Sequence, residues 1–185
     1  MGPTAIRHQV LKRYRDKGIT RLARIPVRVK LDESVSYCEG YPVKITIGSL
    51  CTASLLRGPL NFERTLVHEY GHALLFKLWY KLTRKDQRQW EQCFGAYEGP
   101  EERPGLLTGI WTYYLRSAFI AAATGTPLYD NKAYATMYAA SDPHEDWAET
   151  VTAYIMDDDI SLKEGVLHKV EIVKYFLDKF MALKA

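Results

Sequence analysis

The spacing of apolar residues predicts a helix at each end of the chain. Near the N-terminus, apolar side chains recur at every third or fourth position between Thr4, the predicted N-cap, and Gly18, where the predicted helix ends. These side chains are Ile6, Val10, Leu11 and Tyr14. Near the C-terminus, Ser161 and Glu164 form a capping-box signature. The predicted helix after them has an apolar face that we expect in the core: Val166, Val170, Val173, Leu177 and Phe180.

Two short segments alternate between apolar and polar residues, as strands with one buried face do. In residues 25–31 the alternating apolar positions are Val27, Val29 and Leu31. In residues 43–48 they are Val43, Ile45 and Ile47. The residues 39–42, Glu-Gly-Tyr-Pro, are the predicted turn between these strands. The pattern therefore predicts a small, mostly antiparallel sheet and leaves its strand order open.

Four further helical segments are predicted between the sheet and the C-terminal helix, at about residues 61–81, 85–96, 106–123 and 142–156. Asn61 and Asp142 are the predicted N-caps of two of them, and Pro143 suits a first turn. The third is the most apolar, but it contains Gly109 and Arg116 and is a poor membrane span. No repeat, low-complexity tract or linker interrupts the chain. We predict a mainly helical α+β fold in a single domain, residues 1–185.

Composition agrees with one globular domain and limits the partners. Hydrophobic residues make up 47% and charged residues 25% of the 185 positions, as in ordinary soluble proteins. A net charge of +3 is too small to indicate nucleic acid as a partner. The basic residues cluster near the N-terminus, where we favour a solvated helix face over a surface for an acidic partner. They are Arg7, Lys12, Arg13, Arg15, Lys17, Arg21, Arg24, Arg28 and Lys30.

Cysteine content and the N-terminal segment bear on the compartment. Cys38, Cys51 and Cys93 cannot all pair and show no CxxC spacing, which favours a reducing compartment or buried thiols. Residues 1–30 lack the continuous apolar segment of a signal peptide. We therefore expect a cytoplasmic protein, or one secreted by a route without a classical signal peptide, with no membrane partner. The oligomeric state is not predicted.

The strongest chemical signal is the pentapeptide His68-Glu69-Tyr70-Gly71-His72. Two histidines at i and i+4 of a helix project from one face, so both imidazoles can bind one metal ion. The glutamate between them lies beside that ion and can take a proton from a bound water. This HExxH motif predicts a zinc hydrolase, by default a metallopeptidase; the alternative is a helix with two unrelated histidines. Gly71 costs about 1 kcal/mol of helix propensity, which indicates either a nearby strand or substrate, or tight packing of small residues.

A catalytic zinc site usually has three protein ligands and one open position. The extended motif HExxHxxGxxH is excluded, because Leu75 and Leu78 stand where it has glycine and histidine. Cys51 is a weak candidate, since it lacks the EGCLS-like context of peptide deformylase-like sites. Glu145 and Glu149 are stronger: they lie one turn apart, so one can bind zinc while the other accepts a hydrogen bond from a ligand histidine. A solvated helix start is the alternative explanation of these acids.

Together with the HExxH motif, residues 138–149, Tyr-Ala-Ala-Ser-Asp-Pro-His-Glu-Asp-Trp-Ala-Glu, resemble the gluzincin metallopeptidases, in the branch of anthrax lethal factor and the Pro-Pro endopeptidases. The resemblance extends over about residues 61–157. It implies a zincin-like fold with Zn2+ bound by His68, His72 and Glu145. It also implies that Glu149 supports the ligands from outside the metal's coordination shell and that Tyr138 is catalytic. The N-terminal third resembles no family, and the secretion signal and delivery domains of that branch are missing.

The sequence thus predicts a zinc-dependent endopeptidase acting on a protein or peptide. Glu69 would take the proton of a zinc-activated water, while zinc and the Tyr138 hydroxyl stabilise the oxyanion. An edge of the strand at residues 43–48 is the predicted place for an extended substrate. His144 is an alternative ligand to Glu145. Two other functions stay open: a binding or regulatory protein whose structural zinc site is closed by a side chain such as His144, and a latent or substrate-restricted enzyme.

Overall fold

The computed structural model describes residues 2–30, 32–33, 35–40, 42–49, 51, 59–94, 134–136, 138–141, 143–157 and 164–182. These residues form a mainly helical structure with a small three-stranded sheet, which is the predicted α+β class. The helices are α1 (Pro3–Asp16), α2 (Pro59–Trp79), α3 (Arg84–Phe94), α4 (Pro143–Met156) and α5 (Glu164–Ala182). The strands are β1 (Val27–Val29), β2 (Tyr37–Gly40) and β3 (Val43–Ile47). Two short 3-10 helices cover Arg21–Arg24 and Tyr138–Ser141.

The five helices lie within a few residues of their predicted positions. The N-cap of α1 is Gly2 rather than Thr4, because Pro3 occupies the first turn and needs no hydrogen-bond acceptor there. The predicted helix at residues 106–123 and the predicted cap Ser161 lie outside the described residues. None of the described helices combines the length and apolar character of a membrane span.

The sheet is mixed, which corrects the prediction of a mostly antiparallel one. β3 is the central strand; β1 pairs with it in parallel, with Val27 opposite Ile45, and β2 pairs antiparallel, with Cys38 opposite Ile45. β2 includes Glu39 and Gly40, which the sequence pattern assigns to a turn. Its four residues do not alternate clearly between apolar and polar, so the strand is defined by its backbone pairing with β3 rather than by its own sequence.

Helix α2 lies at the centre of the structure and packs against α1, the sheet and α4. Residues 66–71 are all buried, so the first half of the HExxH motif lies inside the protein. From α1, the Tyr14 hydroxyl donates to the Val67 carbonyl at 2.8 Å, and Arg7 Nε donates to the Tyr70 hydroxyl at 3.2 Å. Because a buried polar group without a partner is costly, the polar residues of the motif require specific partners.

Candidate metal centre

Helices α2 and α4 cross in direct contact at Gly71. A Cβ atom added there would lie 3.2 Å from Ala148 Cα and 3.4 Å from the Ala148 carbonyl oxygen. At the same place Trp147 Nε1 donates a hydrogen bond of 2.9 Å to the Gly71 carbonyl. Of the two explanations for Gly71, the structure supports tight packing, here against another helix. The close crossing brings the imidazole face of α2 against the carboxylate face of α4.

Three donor atoms converge where these faces meet. His68 Nε2 lies 3.0 Å and His72 Nε2 lies 3.3 Å from Glu145 Oε2, and the two nitrogens are 3.1 Å apart. Zinc with bonds of ~2 Å at tetrahedral angles separates neighbouring donors by ~3.3 Å. Among the described residues this is the one group of at least three such side chains able to hold a metal ion. The predicted ligands therefore form a group that could hold a metal ion.

The orientation of Glu145 tests whether these residues fit a metal rather than one another. Its Oε2 atom is buried near two ring nitrogens, yet it makes no hydrogen bond of acceptable geometry with any described residue. Buried carboxylate oxygens in native proteins nearly always have such a partner. The three donor atoms thus point to a common centre, and the donor set of two imidazoles and one carboxylate suits zinc.

The electrostatics of the centre favour a positive charge. Burial lowers the pKa of His68, but contacts with Glu145 and Glu149 outweigh burial and raise this pKa to about 10. Burial dominates at His72 and lowers its pKa. Burial also opposes ionisation of Glu145, but the two histidines hold its pKa well below the usual value. Two ionised carboxylates therefore face these imidazoles, an environment that a bound cation would stabilise.

Glu149 binds the other nitrogen of a ligand histidine. His68 Nδ1 donates to Glu149 Oε1 at 2.7 Å, and both side chains are buried. This contact, with a smaller contribution from Thr136, keeps the pKa of Glu149 below its usual value although burial acts in the opposite direction. Because Glu149 holds the proton on Nδ1, Nε2 is the nitrogen whose proton a bound metal ion would replace.

Glu69 occupies the position expected of a general base in this motif. The residue is 4% exposed, and its Oε2 atom has no hydrogen-bond partner in the described ranges. Burial raises the pKa of Glu69 to about 7; the charge of His68 partly counteracts this shift and that of Glu145 reinforces it. An unpartnered carboxylate oxygen beside a potential metal site is available to bind a water molecule.

The other predicted site residues differ in whether they lie beside the candidate centre. The ring centroid of Tyr138, in the 3-10 helix before α4, lies 5.8 Å from that of His68. His144 is exposed, and its ring lies 5.5 Å from that of Trp90. Cys51 is buried, and neither it nor His144 belongs to the group of converging donors. Tyr138 is therefore placed beside the candidate centre, while the two alternative ligands are not.

Two residues near the candidate centre make contacts that the sequence patterns do not predict. Trp147 bonds a carbonyl 76 positions away, a partner that no local spacing identifies. Cys38 of β2 lies close enough to Glu69 that burial, reinforced by this carboxylate, raises the pKa of its thiol to about 12. The edge strand β2 therefore runs beside the candidate centre.

Comparisons with protein-family models, curated proteins and solved structures gave no match.

Proposed function

We propose that the protein is a zinc-dependent endopeptidase with a gluzincin-type site in a zincin-like arrangement. The observation that carries the proposal is the convergence of His68 Nε2, His72 Nε2 and Glu145 Oε2 at separations of 3.0, 3.1 and 3.3 Å. Glu69, whose Oε2 atom has no hydrogen-bond partner among the described residues, follows the first proposed ligand directly on α2. Three protein ligands and a neighbouring base are the components that metal-assisted peptide hydrolysis needs.

Bound zinc would supply Lewis-acid chemistry, lowering the pKa of a water molecule toward ~7 and polarising the scissile carbonyl. Glu69 is the proposed general base, which accepts the proton of the attacking water and returns it to the leaving amine. Burial raises the pKa of Glu69 to about 7. A nearby cation favours the ionised carboxylate, so Glu69 would act as a base at neutral pH.

Tyr138 and Glu149 have supporting roles in this proposal. The Tyr138 hydroxyl would donate a hydrogen bond to the oxyanion, a contribution worth about 3 to 4 kcal/mol for one donor in comparable hydrolases. The ring centroid of Tyr138 lies 5.8 Å from that of His68, which supports this role. Glu149 would hold the proton on His68 Nδ1 and fix the orientation of the ring.

The substrate is proposed to bind along β2 rather than β3. The central position of β3 excludes it as an edge, contrary to the prediction from the sequence. β2 is an edge strand of the described sheet, and its Cys38 lies near Glu69. An extended peptide can add to such an edge by backbone hydrogen bonds, which would place a peptide bond beside the general base.

The Glu69→Gln variant tests the reaction. It removes the base and preserves the shape of the side chain, so cleavage of a diverse peptide library should fall about 10²- to 10⁴-fold. One zinc per protein should remain in native mass spectrometry. Glu91→Gln, at an exposed position of α3, is the matched control and should cleave like the parent protein. Unchanged proteolysis by Glu69→Gln would exclude the general-base role.

The Glu145→Ala variant tests the third ligand. Native mass spectrometry should show loss of zinc from this variant and full occupancy in Glu91→Ala, where an exposed glutamate is removed. Full zinc occupancy in Glu145→Ala would assign the third ligand to another side chain.

A further inference from the structure

The N-terminal segment concentrates the positive charge of the chain. Residues 1–30 contain nine of the 25 lysines and arginines but one of the 22 acidic residues. Their formal charge is +8, whereas residues 31–185 carry −5. Charge segregation of this kind attracts acidic partners and speeds their association.

Ion pairs among the described residues neutralise some of the positive charges of this segment. The paired side chains are Lys12 with Asp16, Arg13 with Glu63, Lys17 with Asp157 and Lys30 with Glu33. No carboxylate of the described residues lies within ion-pair distance of Arg7 or Arg15. Within the part of the chain that the structure describes, these two arginines therefore present uncompensated charge.

Arg7 and Arg15 line the same groove, between α1 and residues 19–23, with a volume of about 250 Å³. His8 and Leu11 belong to the α1 wall, and the buried side chains of Ile19 and Leu22 lie at its base. The groove thus combines cationic groups at its wall with an apolar base.

The guanidinium of Arg7 is fixed in place. Its Nε donates to the Tyr70 hydroxyl at 3.2 Å, and its Nη2 donates to the carbonyls of Ala23 at 3.1 Å and Ile25 at 3.4 Å. All three acceptors are neutral, so the cation is oriented without being neutralised. A preorganised cation beside apolar side chains suits a ligand that offers both a carboxylate and an apolar group.

We propose that this groove binds an acidic segment, containing apolar residues, of a partner protein. None of its lining residues belongs to the metal centre, so the proposal does not depend on proteolytic activity. Single-stranded nucleic acid fits less well, because its bases stack on exposed aromatic rings. Tyr14 is the sole aromatic residue of residues 1–30 and is fully buried.

Fluorescence anisotropy with a labelled peptide, Glu-Glu-Leu-Glu-Glu-Leu-Glu-Glu, tests the proposal in the Glu69→Gln protein, which should not consume the probe. Arg15 is exposed, so Arg15→Glu should fold normally and bind the peptide at least about tenfold more weakly. Arg88→Glu makes the same charge change at an exposed position of α3 and should bind within about twofold of the parent. The peptide with glutamine in place of glutamate should bind at least about tenfold more weakly. Added salt should weaken the binding of the acidic peptide.

Three results would overturn the proposal. Equal loss of binding in Arg15→Glu and Arg88→Glu would show attraction to the overall charge rather than to the groove. Tighter binding of a single-stranded oligonucleotide or of phosphatidylserine vesicles, lost in Arg15→Glu, would assign the groove to another class of partner. Self-association in sedimentation analysis that Arg15→Glu abolishes, without peptide binding, would assign it to a second copy of the chain.

Discussion

Replacing Gly71 by alanine tests whether the crossing of α2 and α4 sets the geometry of the metal centre. Alanine in the middle of a helix is favoured over glycine by about 1 kcal/mol, so helix propensity alone predicts a more stable protein. In the structure, however, the new Cβ atom would lie 3.2 Å from Ala148 Cα and 3.4 Å from its carbonyl oxygen. Overpacking of a buried site costs about 1–3 kcal/mol.

We expect the overpacking cost to exceed the gain in propensity. The neighbouring atoms at 3.2 and 3.4 Å are backbone atoms of α4, which cannot rotate away as a side chain can. The free energy of unfolding should therefore fall, by up to about 2 kcal/mol. Glu145 and Glu149 flank Ala148 on α4, so a shift of this helix also moves the carboxylates away from the imidazoles. Zinc affinity should fall about tenfold or more.

Urea unfolding and zinc titration against a chromophoric chelator measure the two effects. Gly71→Val should show both effects more strongly, because its side chain is larger. Gly2→Ala is the control, since a Cβ atom at Gly2 would have no atom within 4 Å. An increase of about 1 kcal/mol in the unfolding free energy of Gly71→Ala, with parental zinc affinity, would refute the reasoning because propensity alone predicts it.

Three further predictions concern the centre and the fold. Glu149→Gln removes the anionic partner of the ligand histidine, so zinc affinity should fall about 10- to 100-fold in chelator competition; unchanged affinity would refute this support. Removing zinc with a chelator should abolish peptide cleavage while far-UV circular dichroism is retained, whereas unfolding would indicate a structural zinc site. Asp86 forms an ion pair with Lys179 at 2.6 Å and accepts a hydrogen bond from Tyr175 at 2.9 Å. Burial opposes its ionisation, but these two partners and Thr83 keep the pKa of Asp86 below its usual value. Asp86 therefore adds stability above its unfolded pKa of 3.8 that is lost as the pH falls below this value. Asp86→Asn should lower the unfolding free energy by about 1.5 kcal/mol at pH ~7. In denaturant unfolding, the variant should lose less of its unfolding free energy at low pH than the parent protein does. Parallel pH profiles of the two proteins would contradict this.

The helices are the part of the fold that the sequence predicts well. Their signals are local: apolar residues at helical spacing and residues that favour helix ends. Pro143 is one such residue, predicted for a first turn, and in the structure it begins α4. The predicted ligands also depend on a local signal, because the spacing of residues within one helix determines which side chains share a face.

The sheet and the helix crossing depend on contacts that local patterns do not contain. β2 is recognised only by its pairing with β3, and the parallel pairing of β1 requires knowing that β3 lies between β1 and β2. The contact of Gly71 with Ala148 is equally remote in sequence. A glycine in an apolar helix indicates a close neighbour but does not identify it. Sequence reasoning therefore finds the residues that could hold a metal ion and leaves open the packing that brings them together.

Burial of the HExxH helix explains how the centre is held in place. Its polar groups have partners on two neighbouring helices. Arg7 of α1 contacts Tyr70, and Trp147 and Glu149 of α4 contact the Gly71 carbonyl and His68. Glu69 Oε2 and Glu145 Oε2 are buried without a hydrogen bond. Each such group costs about 1–3 kcal/mol or more when it is charged. A cation beside Glu145 and a water molecule beside Glu69 would compensate both costs at one position. These two atoms are therefore the ones that the proposed hydrolysis uses.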